Sequence, residues 1–262
     1  MSVRDRIVAA LERHERLAIA VSGGVDSMTL AHLAAGESRV ASTMYHAASP
    51  AVPVSARERV EGHAARHGWQ LVVVDAQELA DARYRANPVD RCYYCKTNLY
   101  DRIAGVTRDT IASGTNCDDL SDFRPGLRAA QEHDVVHPYV EAGVTKRDIY
   151  EIAHALGLRD LARLPAQPCL ASRVETGIAI DAADLAFIDA VEAELASRLG
   201  AEATVRCRVT HRGIVVEVGD ASRSEDARAI ALRACADAGR AFAGVRPYAR
   251  GAAFLHKARA AT

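Results

Sequence analysis

The stretch Leu17-Ala-Ile-Ala-Val21 followed by Ser22-Gly-Gly-Val-Asp-Ser27, "LAIAVSGGVDS", decides the fold. Five apolar residues in a row read as a short buried strand. The run stops abruptly at two glycines, and "MTLAHLAA" from Met28 resumes with a helical pattern. Glycines let the backbone turn tightly and bring its N–H groups close to an anion. The helix N-terminus behind them carries partial positive charge, and Ser22 and Ser27 add hydroxyl donors. A turn built this way is a phosphate cradle; the plainer alternative is a turn that only joins strand to helix. The G-K-[ST] of the Walker A loop is absent, as is the G-x-G-x-x-G of dinucleotide-binding folds.

The same alternation continues on both sides. Residues 3–14 read as a helix, Arg39–Ala47 and Gln70–Ala76 as strands, and Ser55–His67 as a polar-faced helix closed by Gly68. A helix is expected near Tyr93–Ile103, and Asp109–Thr115 is a strand entering a glycine turn. Strand and helix in alternation predict an α/β fold with a doubly wound parallel sheet covered on both faces. Thr145 and Asp148 fit a capping box opening a helix with Ile149, Ile152, Ala153 and Leu156 on one face and Gly157 at its end. "LPAQPCLASRVETG" (Leu164–Gly177) has two prolines and no period, so it reads as a loop. Beyond it come a helix over 181–199, a strand pair over Thr204–Val218 turning at His211-Arg212-Gly213, and a helix over Ser224–Ala238. The expected organisation is a nucleotide-binding domain over 1–163, a cysteine-bearing connector over 164–180 and a smaller C-terminal α+β domain over 181–262.

With 262 residues, 49% of them hydrophobic and 26% charged, the chain can bury a sizeable core without staples. Thirty-three basic residues against 34 acidic ones leave a formal charge of −1, which gives no electrostatic footprint for nucleic acid. The opening residues break their apolar positions with charges, unlike a signal peptide, and no apolar run is long enough for a membrane span. The expected location is cytoplasmic. There the six cysteines read as thiols, metal ligands or catalysts rather than disulfides.

Cys92 and Cys95 in "RCYYCK" lie at i, i+3 and share a face if they begin a helix. By themselves they fit a redox pair, half a zinc site or buried thiols. Gly114 and Thr115 end a strand on the carboxyl edge of the sheet, where ligands bind in open α/β folds, and are candidates to contact a nucleotide. Arg124, beside Pro125-Gly126, and Lys96, beside the cysteines, are candidates to pair a phosphate. Asp119 and Asp122 precede Arg124, and Asp119 is a candidate Mg²⁺ ligand. Arg206 and Arg208 alternate along a strand and point to one face, suited to a phosphate or carboxylate; Arg173 is a similar candidate. Cys207 and Cys235 read as buried fillers, and Cys117 lies near the nucleotide turn.

"SGGVDS" resembles the pyrophosphate loop of the PP-loop ATP pyrophosphatases, in the adenine nucleotide alpha hydrolase-like fold. That resemblance implies that Ser22, Gly23, Gly24, Asp26 and Ser27 hold the phosphates of ATP with Mg²⁺. With "RCYYCK", "SGTNCDDLSDFRPG" (Ser113–Gly126), "PCLASRVETG" (Pro168–Gly177) and "VRCR" (Val205–Arg208), the chain over roughly residues 5–225 resembles the ATP-dependent sacrificial sulfur transferases. Those serve biosynthesis of the nickel-pincer nucleotide cofactor of lactate racemase. The resemblance implies adenylation of a carboxylate on a small nucleotide substrate, a pyridinium dicarboxylate mononucleotide, with release of pyrophosphate. Sulfur then replaces AMP to give a thiocarboxylate. One branch sacrifices a single cysteine, matched by Cys169; another holds a [4Fe-4S] cluster on three cysteines. The presence of Cys92 and Cys95 beside Cys169 favours the cluster branch, because three thiolates leave one iron with an open position; zinc on three cysteines and a histidine is the competitor. Glu194, Glu217 and Glu225 match positions where the family has acids and are candidate divalent-metal ligands, and a homo-oligomer is expected. The stretch Gly244–Ala258 departs from the family by lacking an acidic "DLxGY"-like segment.

Three rivals remain. A PP-loop tRNA thiolation enzyme with a three-cysteine [4Fe-4S] cluster would need an RNA-binding surface. A non-catalytic nucleotide- or zinc-binding regulator would release no pyrophosphate. An amidating synthetase would have no use for the cysteines.

Overall fold

The computed structural model describes residues 1–121, 124–200 and 203–249; Asp122 and the stretch from Arg250 on lie outside the described residues. The chain forms two units, one of Met1–Glu78 with Asp90–Gln167, the other of Leu79–Val89 with the residues from Pro168 on.

In the first unit α1 (Val3–Leu11) leads into β1 (Arg16–Ala20), α2 (Val25–Gly36), β2 (Ala41–Ala48), α3 (Val54–His67) and β3 (Leu71–Asp75). The short α4 (Ala82–Arg85) lies in the second unit. The first unit then resumes with α5 (Arg91–Val106), β4 (Thr110–Ala112), α6 (Pro125–Glu132), α7 (Pro138–Glu141), α8 (Lys146–Ala155) and α9 (Arg159–Ala162). The four strands form one all-parallel sheet in the order β3-β2-β1-β4.

β1 shows why its sequence is apolar from Leu17 on. Leu17 and Ile19 enter a core with Ile7 of α1, Met28 and Leu33 of α2 and Ile149 of α8. Ala18 and Ala20 enter a second core with Leu99 and Ile103 of α5 and Ala129 of α6. Successive side chains point to opposite faces, so a strand covered on both sides has no polar position. The capping box of α8 forms as expected, with Asp148 Oδ2 accepting from the Thr145 N–H at 2.8 Å. Gly68 closes α3 at φ +65.

The chain fills the sheet outward from β1 through β2 to β3, then returns to place β4 on the other side of β1. Strand order therefore reverses between β1 and β4, and the turns leaving these two strands flank the crevice where open α/β sheets bind ligands. The turns pack tightly. A Cβ on Gly114 would lie 2.7 Å from the Ser27 backbone nitrogen, and one on Gly23, at φ +82, would lie 2.6 Å from the Ala56 carbonyl oxygen.

The second unit contains α10 (Ala182–Leu199), β5 (Val205–Thr210), β6 (Gly213–Val218), α11 (Ser224–Asp237) and β7 (Phe242–Pro247). β5 and β6 form the expected antiparallel pair. The sequence reading has no third strand, yet β7 runs parallel to β6, with a register irregularity at Ile214/Val215. The segment Leu164–Gly177, read as loop throughout, includes a 3₁₀ turn at Leu170–Arg173. Asn87, fully buried, ties the excursion around α4 into this unit: its side-chain amide donates to the carbonyls of Glu175 and Ile178, both at 2.9 Å. Among the described residues no helix is long and apolar enough to cross a membrane.

The two glycine environments predict opposite outcomes for one chemical change. Gly114→Ala must push α2 and the β4 turn apart and should cost roughly 1–3 kcal/mol. Gly105→Ala, in α5 with nothing within 4 Å of an added Cβ, should stabilise by about 0.5–1 kcal/mol. Chemical denaturation of the two variants checks the pair; equal effects would refute the close approach.

Candidate functional site

The SGGVDS loop leaves β1 at Val21 and closes on itself. The Ser22 N–H donates to Ser27 Oγ at 3.0 Å, the two hydroxyl oxygens lie 3.1 Å apart, and the Gly24 N–H reaches Ser22 Oγ at 3.4 Å. Gly24 is the N-cap of α2 and offers no side chain to the first N–H groups of the helix. Those donors are what a phosphate oxygen would find there. Ser22 is exposed and Ser27 buried, so one hydroxyl faces outward while the other holds the loop.

Asp26, in the first turn of α2, pairs with Lys146 Nζ at 2.7 and 2.5 Å through its two oxygens. Burial pushes the Asp26 carboxyl above the ordinary carboxylate range; Lys146 pulls it back and Asp119 adds to the rise. Lys146 is the first residue of α8, and its N–H donates to Asp118 Oδ2 at 2.8 Å. Tyr139 of α7, fully buried, donates its hydroxyl to the Asp26 carbonyl at 3.1 Å. Sequence reasoning read the capping box and apolar face of α8 and gave Lys146 no role. The signal was a lysine at the head of a helix, visible only once the fold sets that helix end against the SGGVDS loop.

The second turn, after β4, carries Ser113, whose Oγ lies 3.0 Å from Thr115 Oγ1 and 2.9 Å from His137 Nδ1. Burial pulls the His137 imidazole below its usual value, with Glu141 and Asp119 opposing and Lys96 reinforcing the shift. Asp119 accepts from the Asn116 N–H at 3.2 Å and pairs with Arg124 at 2.7 Å. The predicted residues Asp26, Ser27, Gly114, Thr115 and Asp119 thus share one edge of the first unit.

Cys92 and Cys95 occupy the first turns of α5, both half-buried and on one face, with Lys96 beside them. α6 docks on this end of α5. A Cβ on Gly126 would meet Lys96 Cγ at 3.0 Å and lie 3.6 Å from the Cys92 carbonyl oxygen. Tyr93 donates to Glu132 at 2.6 Å and carries the Arg128 guanidinium 3.7 Å above its ring. The tyrosine after the first cysteine therefore fixes α6, and "RCYYCK" and "RPG" (Arg124–Gly126) become neighbours.

In the second unit Cys169 is half-buried and precedes the 3₁₀ turn. Arg173, nearly fully buried, donates to the Cys169 carbonyl at 3.1 Å and forks onto Glu192 at 3.0 and 2.8 Å. Its guanidinium anchors the thiol-bearing turn. Arg208 lies 2.6 Å from Glu217 and donates to the Ser172 carbonyl at 3.1 Å. Fully buried Glu217 also accepts from Arg246 at 3.0 and 2.8 Å. Arg206 donates to the Val205 carbonyl at 2.6 Å, with its guanidinium 5.6 Å from the Tyr248 ring. A cleft of about 320 Å³ has Arg173, Arg208, Arg212 and Arg246 in its wall, a lining suited to an anion. Arg246 comes from β7, the strand missing from the sequence reading.

The expected acidic metal set does not assemble. Glu217 is held by two arginines, Glu194 pairs with Arg233, and Glu225 is exposed in the first turn of α11. Among the described residues the three form no cluster with metal-ligand spacing. The six cysteines form no disulfide, and Cys207 and Cys235 are buried.

No protein-family model matches the chain. An uncharacterized protein of Synechocystis sp. is 36% identical over 193 residues, which cover 71% of this chain and 70% of the relative. The chain belongs to the family of that protein. An uncharacterized protein of Methanocaldococcus jannaschii is 28% identical over 79% of both chains. The pyridinium-3,5-bisthiocarboxylic acid mononucleotide synthase of Lactiplantibacillus plantarum is a more distant homologue, 28% identical over 73% of this chain and 71% of its own.

Asp26 allows a test with a definite sign. Its folded pKa is raised, so its ionised form costs stability, and that cost grows as pH rises from the ordinary carboxylate value through the elevated one. Asp26→Asn should therefore be at least as stable as the parent at pH 7, with the difference vanishing in acid. Urea denaturation across pH measures it, and a variant clearly less stable at neutral pH would contradict the assignment.

Proposed function

We propose that the chain is an ATP-dependent sulfur transferase of the PP-loop type, acting on a pyridinium carboxylate mononucleotide in nickel-pincer cofactor synthesis. The observation that carries this reading is the meeting of the SGGVDS loop and the Gly114-Thr115 turn at the strand-order reversal, with the uncapped N-terminus of α2 between them. The homologue named as a bisthiocarboxylic acid mononucleotide synthase supplies the substrate class.

On this reading Ser22, Gly23, Gly24 and Ser27 hold the pyrophosphate end of ATP, and Gly114 and Thr115 border the nucleotide. Asp26 is the Mg²⁺ ligand of the loop, with Asp119 close enough to assist. Lys146 neutralises Asp26 in the absence of nucleotide and is placed to meet a phosphate when Mg²⁺ takes the carboxylate. A substrate carboxylate oxygen attacks the α-phosphorus, the bond to the β-phosphate breaks, and pyrophosphate leaves. This converts a poor acyl electrophile into one with AMP as leaving group; sulfur then adds at the carbonyl carbon and AMP departs.

The arginines of the second unit, Arg206, Arg208 and Arg246 above all, suit the substrate phosphate or its second carboxylate. Cys169 is the sulfur-handling thiol, held by Arg173. Three soft thiolates are a donor set fitting iron–sulfur chemistry: Cys92, Cys95 and Cys169 would hold a [4Fe-4S] cluster, whose open iron would carry an added sulfide from an external donor for transfer.

Cys169→Ala should abolish thiocarboxylate formation while carboxylate-dependent exchange of labelled pyrophosphate into ATP continues. Sulfur transfer that survives the substitution would sink the assignment. In anaerobically reconstituted protein, iron and acid-labile sulfide near four each per chain are expected, with Cys169 unchanged in mass after turnover. No iron, with loss of H₂S mass at Cys169, would replace the cluster version with cysteine sacrifice.

A further inference from the structure

Away from the nucleotide edge, three histidines of the first unit converge. His32 comes from α2, and His63 and His67 lie one turn apart at i, i+4 on α3. One ring nitrogen of each falls within 4.8 Å of the other two. His32 Nε2 and His63 Nδ1 are 2.8 Å apart, and on its other side His63 Nε2 lies 2.7 Å from Asp160 Oδ2 of α9.

These contacts fix one proton position. A carboxylate only accepts, so His63 carries a proton on Nε2 toward Asp160. In the neutral ring, the form that binds a metal, Nδ1 is then a lone pair aimed at His32. Carboxylate, then imidazole N–H, then a lone pair pointing at further imidazoles is how metal-binding histidines are oriented by their outer partners. A tetrahedral ion with metal–nitrogen bonds of ~2.0–2.1 Å needs ligand nitrogens about 3.3 Å apart. The 2.8 Å pair would open slightly and the remaining spacings, within 4.8 Å, would close to that value, with the ion taking the place of the proton shared by His32 and His63. His63 is buried, His32 half-buried and His67 exposed, which gives the ion an entry path and leaves a fourth position to water.

We propose that His32, His63 and His67 form a binding site for a divalent transition metal ion of the zinc type, with Asp160 as the positioning residue. Imidazole ligands suit zinc, copper and nickel over magnesium or calcium. The site is separate from the cysteines and the phosphate loop, and it stands or falls independently of the proposed reaction. Its effect would be to clip α2, which begins at the phosphate loop, to α3, whose Ala56 supports Gly23 of that loop.

The chain has a built-in reporter. Trp69 is its single tryptophan, and its ring centroid lies 4.7 Å from that of His32 and 6.2 Å from that of His67. The test is equilibrium dialysis of the full chain against Zn²⁺ with metal analysis, alongside Co²⁺ titration read by Trp69 emission and visible absorption. The wild type should hold one more Zn²⁺ per chain than His67→Ala, whose exposed side chain can be removed without disturbing the core. Co²⁺ should quench Trp69 saturably, with an absorption band typical of tetrahedral nitrogen–oxygen ligation that is absent from His67→Ala. Asp160→Asn should weaken binding about 10- to 100-fold. Ions bound by thiols remain in every variant and cancel from the comparison. Equal Zn²⁺ content in wild type and His67→Ala, or Trp69 emission indifferent to Co²⁺, overturns the proposal.

Discussion

The close approach of the β4 turn to the first turn of α2 governs the rest of the first unit. With the Gly114 Cβ position only 2.7 Å from the Ser27 nitrogen, the two turns meet backbone to backbone. A side chain there would fill the crevice that the strand-order reversal creates and cover the N–H groups of α2. Gly23 does the same job against α3, because its positive φ and its contact with Ala56 both exclude a Cβ. Two missing side chains keep the end of a helix bare, and unpaired N–H groups at a helix end are a general feature of anion-binding sites.

Charge is then placed against stability. Asp26 is held partly buried beside a second acid, Asp119, and its cost is met by Lys146 from a helix 120 residues away in sequence. Such an arrangement is poor as a structural ion pair and useful as a site that trades one cation for another. The second unit has the opposite imbalance. Arg173, Arg206, Arg208 and Arg246 gather around two acids, Glu192 and Glu217, and leave a surplus of positive charge at the cleft. One unit thus sets a buried acid pair beside a bare helix end, and the other gathers arginines at a cleft.

Much of this was legible in the residues because it depends on local rules. "LAIAVSGGVDS" carries strand, turn and helix start in eleven positions, and Thr145/Asp148 announce α8 by a hydrogen-bond pattern with a three-residue period. What escaped depends on distance along the chain. β7 was hidden because Gly244 at φ +130 and the bulge opposite Ile214/Val215 break the alternation that marks a strand. Arg246 went unread with it. Lys146 looked like an ordinary helix-start residue, and the fork of Arg173 onto Glu192 joins two elements with no shared local pattern. Leu79–Val89 belongs to the second unit, and among its ties is Asn87, a residue whose reach to Glu175 and Ile178 has no local signature. Histidines 63 and 67 are one helical turn apart, but nothing in the sequence pairs them with His32.

The central claim is that the glycine loop directs cleavage of ATP between its α- and β-phosphates. Phosphorus NMR of ATP incubated with the protein, Mg²⁺ and a pyridinium dicarboxylate mononucleotide reads this directly. The account predicts AMP and pyrophosphate, formed only when the carboxylate is present and lost in Asp26→Asn. ADP and inorganic phosphate as the products, or pyrophosphate release indifferent to the carboxylate, would contradict it.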